Sequence, residues 1–177
     1  MRHPLLIVML LLLSPMVSAV ETQGEILLMA MPLPEMGWAV RNASNADEEI
    51  VEWVKAESGD AAAARILKNR GGFSADEYRR AVDQDALTAC SPYGSREISA
   101  SNEGPYPHRL WIARCSLDQT RTLTVLHLYI SGRDYGYYLT RKWRGTPSDE
   151  ALAQWVDYFA DVALCDSRPE RGAACPE

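Results

Sequence analysis

No H-E-x-x-H, G-x-S-x-G, phosphate-loop, dinucleotide-binding or EF-hand pattern occurs in this 177-residue sequence. The common zinc-protease, serine-hydrolase, nucleotide and calcium chemistries therefore lack a local signature. Histidine is scarce, with three residues, His3, His108 and His127. Imidazole acid–base or metal chemistry must use His108 or His127 once His3 is assigned to an N-terminal leader. The four cysteines include no C-x-x-C pair, and their spacing fits no common zinc finger or ribbon. Positive charge is in deficit: 18 Lys and Arg stand against 24 Asp and Glu, a formal charge of −6. That balance argues against a nucleic-acid partner, which calls for a basic stripe. No apolar run reaches the roughly 20 residues of a membrane-spanning helix. Repeats and low-complexity tracts are missing beyond the short Ala61–Ala64 run.

What is present reads as one globular α+β domain behind an export signal. Hydrophobic types make up 47% of the chain, too much for a disordered one. Met1, Arg2 and His3 give a cationic start, Leu5 to Leu13 is an unbroken apolar run, and Ser14-Pro15 ends it. Val17-Ser18-Ala19 then supplies small or modest side chains before a cut near Ala19-Val20. This layout predicts a secretory signal peptide over residues 1–19 and a single domain over 20–177, in the periplasm or outside the cell. Cys90, Cys115, Cys165 and Cys175 all fall in the mature part, and an even count in an exported chain predicts two disulfides. Of three possible connectivities, Cys90–Cys115 with Cys165–Cys175 is favoured, the second pair closing a polar C-terminal loop.

Short strands are expected at Glu25–Met31 and Gly37–Arg41. Asp47–Glu57 fits helical and strand periodicity about equally. The Ala61–Arg70 segment reads as an alanine-rich helix stopped by Gly71-Gly72. Ser74 with Glu77 forms a capping-box pattern and Phe73 with Tyr78 a staple, opening a helix to about Leu87 that buries Tyr78, Ala81, Val82 and Leu87. From Arg96 the pattern turns to strands: Glu97–Ser101, Arg109–Cys115, Thr122–Ile130 and Tyr135–Arg144. Thr122–Ile130 is apolar at both alternating sets, as a strand covered on both faces should be. The last helix has Thr146 as its expected cap and Pro147 at its first position, with a stripe of Leu152, Trp155, Val156, Phe159 and Ala163. The expected fold is an antiparallel sheet flanked by helices, an α/β sandwich with a closing C-terminal helix.

The run Tyr137 to Arg144, then Trp155 with Tyr158, Leu164-Cys165-Asp166-Ser167-Arg168 and Cys175-Pro176 resembles the ending of a group of small secreted bacterial proteins without assigned activity. The lead into Gly37-Trp38 and the Glu52-Trp53-Val54 segment resemble their front half. Those proteins carry Gly-Glu and then Trp-Thr where this chain has Gly59-Asp60-Ala61-Ala62. By element order the resemblance implies a sandwich similar to the PsbP/Mog1 type and a strand at Glu49–Lys55. It implies no catalytic chemistry.

Candidate site residues come from type and crowding. Tyrosine, tryptophan and arginine dominate binding hot spots, and Tyr129, Arg133, Tyr135, Tyr137, Tyr138, Arg141 and Trp143 crowd into one hairpin. Arg133, Tyr135, Tyr137, Arg141 and the loop residue His108 are the binding candidates, with Arg133 and Tyr135 at the Ser131–Asp134 turn. His127, inside the most apolar strand, reads as a hydrogen-bonded core residue. Asp157 and Asp161 share a helix face, which suits an acid pair or a calcium edge and equally suits pairing with the Arg141-Lys142-Arg144 strand or simple solvation. No catalytic residue, metal or cofactor is assigned. The reading is an exported, non-catalytic envelope protein that binds a protein or a cell-wall component. The alternative is a small periplasmic hydrolase or ligand carrier: a pocket joining His108 or His127 to a carboxylate would favour the enzyme, and a filled sheet with an exposed aromatic patch the binder.

Overall fold

In the computed structural model, which describes residues 24–118, 120–168 and 175, the chain runs β1 (Glu25–Leu28), β2 (Ala39–Asn42), β3 (Glu48–Val54), β4 (Ala61–Leu67), α1 (Ala75–Ala89), β5 (Tyr93–Ser101), β6 (His108–Ser116), β7 (Thr122–Ser131), β8 (Gly136–Arg144), α2 (Asp149–Ala160) and β9 (Ala163–Asp166). The expected leader, residues 1–19, lies outside the described residues. Seven strands form one antiparallel sheet in the order β2-β3-β4-β8-β7-β6-β5, and β1 pairs with β9 in a separate two-stranded sheet.

The alternation read from Arg109 onward sets which residues face which helix. Leu110, Ile112, Leu126, Leu128, Ile130, Tyr137, Leu139 and Trp143 line one face and pack with Trp155, Tyr158 and Phe159 of α2. Trp111, Tyr129 and Tyr138 line the other and pack with Ala75, Tyr78 and Val82 of α1. Tyr78 stacks on Tyr129 with ring centroids 4.0 Å apart. Helices on opposite faces explain why β7 is apolar at both sets of positions. Each large side chain so buried contributes roughly 1.5–3 kcal/mol.

The antiparallel sheet, the two helices and both disulfides, Cys90–Cys115 and Cys165–Cys175, are as expected in outline. The balance is strand-rich, with nine strands to two helices among the described residues. Two disulfides suit an oxidising compartment, extracellular or periplasmic. No helix among the described residues is long and apolar enough to cross a membrane.

The largest correction is at Ala61–Arg70, where the expected helix is strand β4. It pairs in register with β3 on one side and β8 on the other. Ala62 lies between Trp53 and Arg141, and Ala64 between Val51 and Leu139. Small side chains leave room for those large neighbours. Alanine's helix preference, at most about 0.7 kcal/mol per residue, is outweighed by two ladders and a buried position. The ambiguous segment before it is strand β3, whose Glu48 and Glu49 pair with Arg65 and Lys68.

Smaller corrections concern helix ends. The cap of α2 is Ser148, not Thr146: its Oγ accepts from the Ala151 N–H at 3.2 Å. Nor does α2 close the fold, because β9 follows and Ala163 belongs to it, exposed. In α1 the Ser74 side chain makes no capping bond, while Asp76 is drawn to Arg109 and Phe73 lies under the Arg70 guanidinium. Ala81 and Leu87 are exposed rather than buried, and Tyr78 and Val82 are half-buried.

Candidate functional site

Strand register brings a row of unlike side chains together at one end of the sheet. His108 and Leu110 of β6 sit opposite Ile130 and Leu128 of β7, and Ser99 of β5 sits opposite Leu110. The end of α2 and the start of β9 cross above them. Between these layers is a pocket of about 130 Å³, walled mainly by Leu110, Leu128, Ile130, Phe159, Val162 and Leu164. Ser99, Tyr106 and His108 supply its polar residues.

Loop chemistry places Tyr106 and His108 there. Pro105 and Pro107 flank Tyr106 and fix its approach, and the Ser131 N–H donates to the Pro107 carbonyl at 2.8 Å. That bond ties the β5–β6 loop to the β7–β8 turn. Burial, and then the positive charge of Arg109, lower the His108 pKa, so its imidazole is neutral at neutral pH. Burial raises the Tyr106 pKa, and the charges of Glu25 and Asp166 add to the effect. The Tyr106 hydroxyl is shut off from solvent without a hydrogen bond among the described residues.

Arg133 stands exposed on the turn beside this loop, near enough for its charge to act on the Tyr106 phenol. Its backbone N–H donates to Glu25 Oε1 at 2.7 Å, and the Asp134 N–H and the Tyr137 hydroxyl donate to Oε2. Glu25 is wholly buried, so a carboxylate from β1 pins the turn. Tyr135 is half-buried and packs against the main core. Glu25, Asp134 and Asp166 bring carboxylate oxygens within 4.8 Å of one another. Arg168 bonds Asp134 and Asp166 in that cluster, reaching Asp166 Oδ1 at 2.8 Å and Oδ2 at 2.6 Å.

Two expected binding residues are internal. Tyr137 is fully buried and bonded to Glu25. Arg141, 1% exposed, pairs with Glu35 at 3.0 Å and Asp60 at 3.2 Å. Its guanidinium lies 4.4 Å from the Trp143 ring, 5.0 Å from Trp38 and 5.3 Å from Trp155. Neither offers surface to a partner, because α2 and the Met29–Trp38 segment cover this face. His108, Arg133 and Tyr135 are the candidates that the fold gathers at one end.

His127 is on the opposite face, buried, with Nδ1 2.6 Å from the Tyr138 hydroxyl and its ring stacked on Trp111. Burial, followed by the charge of Arg79, pushes its pKa down to about 3, so it stays neutral. Asp157 and Asp161 are exposed at the end of α2. Around the pocket, therefore, a neutral imidazole, a serine and a tyrosine ring meet an apolar wall. Such a lining holds an apolar group and offers hydrogen bonds at its rim. Sequence reasoning missed Leu110, Leu128, Ile130 and Phe159 as pocket walls, since each reads simply as core. It also missed Glu25 as the anchor of the turn, because nothing local links β1 to residues more than 100 positions away. No family model matches the chain, and no curated protein matches it.

Proposed function

We propose that this chain is an exported, non-catalytic binding protein that holds a protein or cell-wall component at the end of the sheet formed by Tyr106, His108, Arg133 and Tyr135. The observation that carries this reading is a pocket with an apolar wall and polar rim, whose Tyr106 feels the charge of the exposed Arg133 on a turn fixed by the buried Glu25. A turn whose backbone is already held by Glu25 loses little entropy when a partner docks on it. The two histidines of residues 20–177 add support, since His127 is committed to the core and His108 adjoins Ser99 and Tyr106 rather than a carboxylate. The apolar wall also favours a ligand carrier as the second reading. The location belongs to the same proposal: residues 1–19 are removed and the domain works in the periplasm or outside the cell, like the small secreted proteins its C-terminal pattern resembles.

Immobilised mature protein should retain a specific component from an envelope extract. Arg133→Ala should weaken that retention by about 1–3 kcal/mol, the usual scale of an arginine hot spot, with an unchanged melting temperature. Equal retention by wild type and variant would move the site elsewhere.

A further inference from the structure

A second concavity lies on the same face of β5 and β6, near the first turn of α2. It is an open concavity of about 350 Å³, lined by Gly94, Ser95, Arg96, Ile112, Arg114 and Leu152. Register explains the gathering: Gly94 pairs with Arg114 and Arg96 with Ile112. Arg96 and Arg114 are therefore diagonal neighbours on one face, and Gly94 leaves open the space beside Arg114, where an added Cβ would meet nothing within 4 Å. The β-bulge between Glu97 and Ser99 turns Ile98 into the core and separates this concavity from the first pocket.

The two arginines here have no carboxylate partner among the described residues. Arg41, Arg65, Arg79, Arg109, Arg121, Arg141 and Arg168 each pair with a carboxylate, whereas among the described residues Arg70, Arg80, Arg133 and Arg144 do not. Arg96 and Arg114 form no ion pair among the described residues, and Asp149 and Glu150 in the neighbouring turn do not reach them. Two arginines on one face of a strand pair concentrate positive charge there in a chain whose formal charge is −6. Arginine presents a planar fork that matches carboxylate and phosphate oxygens. Ile112, buried beneath, and Leu152, half-buried beside it, give the floor an apolar character.

We infer that this concavity binds a small amphiphilic oxyanion, its carboxylate or phosphate held between Arg96 and Arg114 and its apolar body laid on Ile112 and Leu152. This is a site distinct from the proposed partner-binding end. The test titrates the mature protein with octanoate, octyl phosphate, 1-octanol and inorganic phosphate, each below any micelle-forming concentration. Amide shifts at Gly94, Arg96 and Arg114 and the dissociation constants are the readouts. At least one of the two amphiphilic anions should bind at least tenfold more tightly than both 1-octanol and inorganic phosphate, and the tighter of the two identifies the head group. Arg96→Gln/Arg114→Gln, both at exposed positions, should weaken that anion at least tenfold without lowering the melting temperature. Equal binding of 1-octanol would remove the role of charge, and equal binding of inorganic phosphate the role of the apolar floor. Unaltered affinity in the double variant, or no response to either amphiphile, would overturn the assignment.

Discussion

Arg141→Met removes the most heavily engaged charge in the protein and keeps much of its aliphatic volume. The guanidinium bonds Glu35 and Asp60 and donates to the Lys142 carbonyl, inside a wall of three tryptophans. Breaking a buried ion pair from one side costs about 3–5 kcal/mol, because the partner charge stays behind. Here the stranded carboxylates keep other partners. Glu35 still bonds Lys55 and accepts from Trp155 Nε1 at 2.5 Å, and Asp60 still accepts from the Arg144 N–H. The loss should therefore fall at the lower end, about 3 kcal/mol. Although burial opposes it, the hydrogen bonds from Lys55, Trp155 and Arg141 hold the Glu35 pKa below the ordinary carboxylate range. Its share of stability is accordingly present above the unfolded-state pKa and disappears as pH falls through the lowered folded value. Urea unfolding of the oxidised protein measures the effect, and Glu35→Gln/Arg141→Met supplies the cycle. The double variant should lose at least 1 kcal/mol less than the sum of the single losses. A single-variant loss under about 1 kcal/mol, or strict additivity, would refute the reasoning.

Other expectations follow from the same geometry. Intact-mass measurement of exported protein should show residues 1–19 gone and four hydrogens fewer than the reduced chain, with no thiol open to alkylation. Loops of 25 and 10 residues give each bridge about 3 kcal/mol of stabilisation, so Cys→Ala pairs should lower the urea midpoint accordingly. His127, ordinarily near 6.5 when unfolded and about 3 when folded, binds more protons in the unfolded chain. Its contribution is complete above pH 6.5 and is lost as pH falls toward 3, on the order of 5 kcal/mol. A folded His127→Gln variant should lack that slope, and an unchanged slope would contradict the assignment. Ala62→Leu should destabilise by about 1–3 kcal/mol, because Trp53 and Arg141 flank it in β4.

Much of the fold is legible wherever a local rule and the tertiary environment agree. The alternation of Leu110 and Ile112 against Trp111 and Ala113 assigns both faces of β6, and the doubly apolar β7 announces cover on each side. Ala61–Leu67 misleads because alanine content reports local preference, whereas its strand state is set by neighbours above and below it. β9 is hidden because Ala163–Asp166 follows α2 without a strong break and pairs with β1, at the far end of the sequence. The hairpin's aromatic crowding marks core more than surface: Tyr129, Tyr137 and Tyr138 are all buried. Period-two reasoning separates two faces but cannot tell that both are covered. His108 and Arg133 are identifiable as loop and turn residues, while their meeting at one pocket depends on register across β5, β6 and β7.

The central claim is that the Arg133 end of the sheet receives a partner. Photo-crosslinking tests it most directly, with a photoreactive residue substituted at Arg133 in the exported protein and, as a control, at Val40, which is 63% exposed on the edge strand β2. Irradiation of intact cells should give a discrete adduct from position 133 and none from position 40. No adduct at 133, or the same adduct from both positions, would contradict the account.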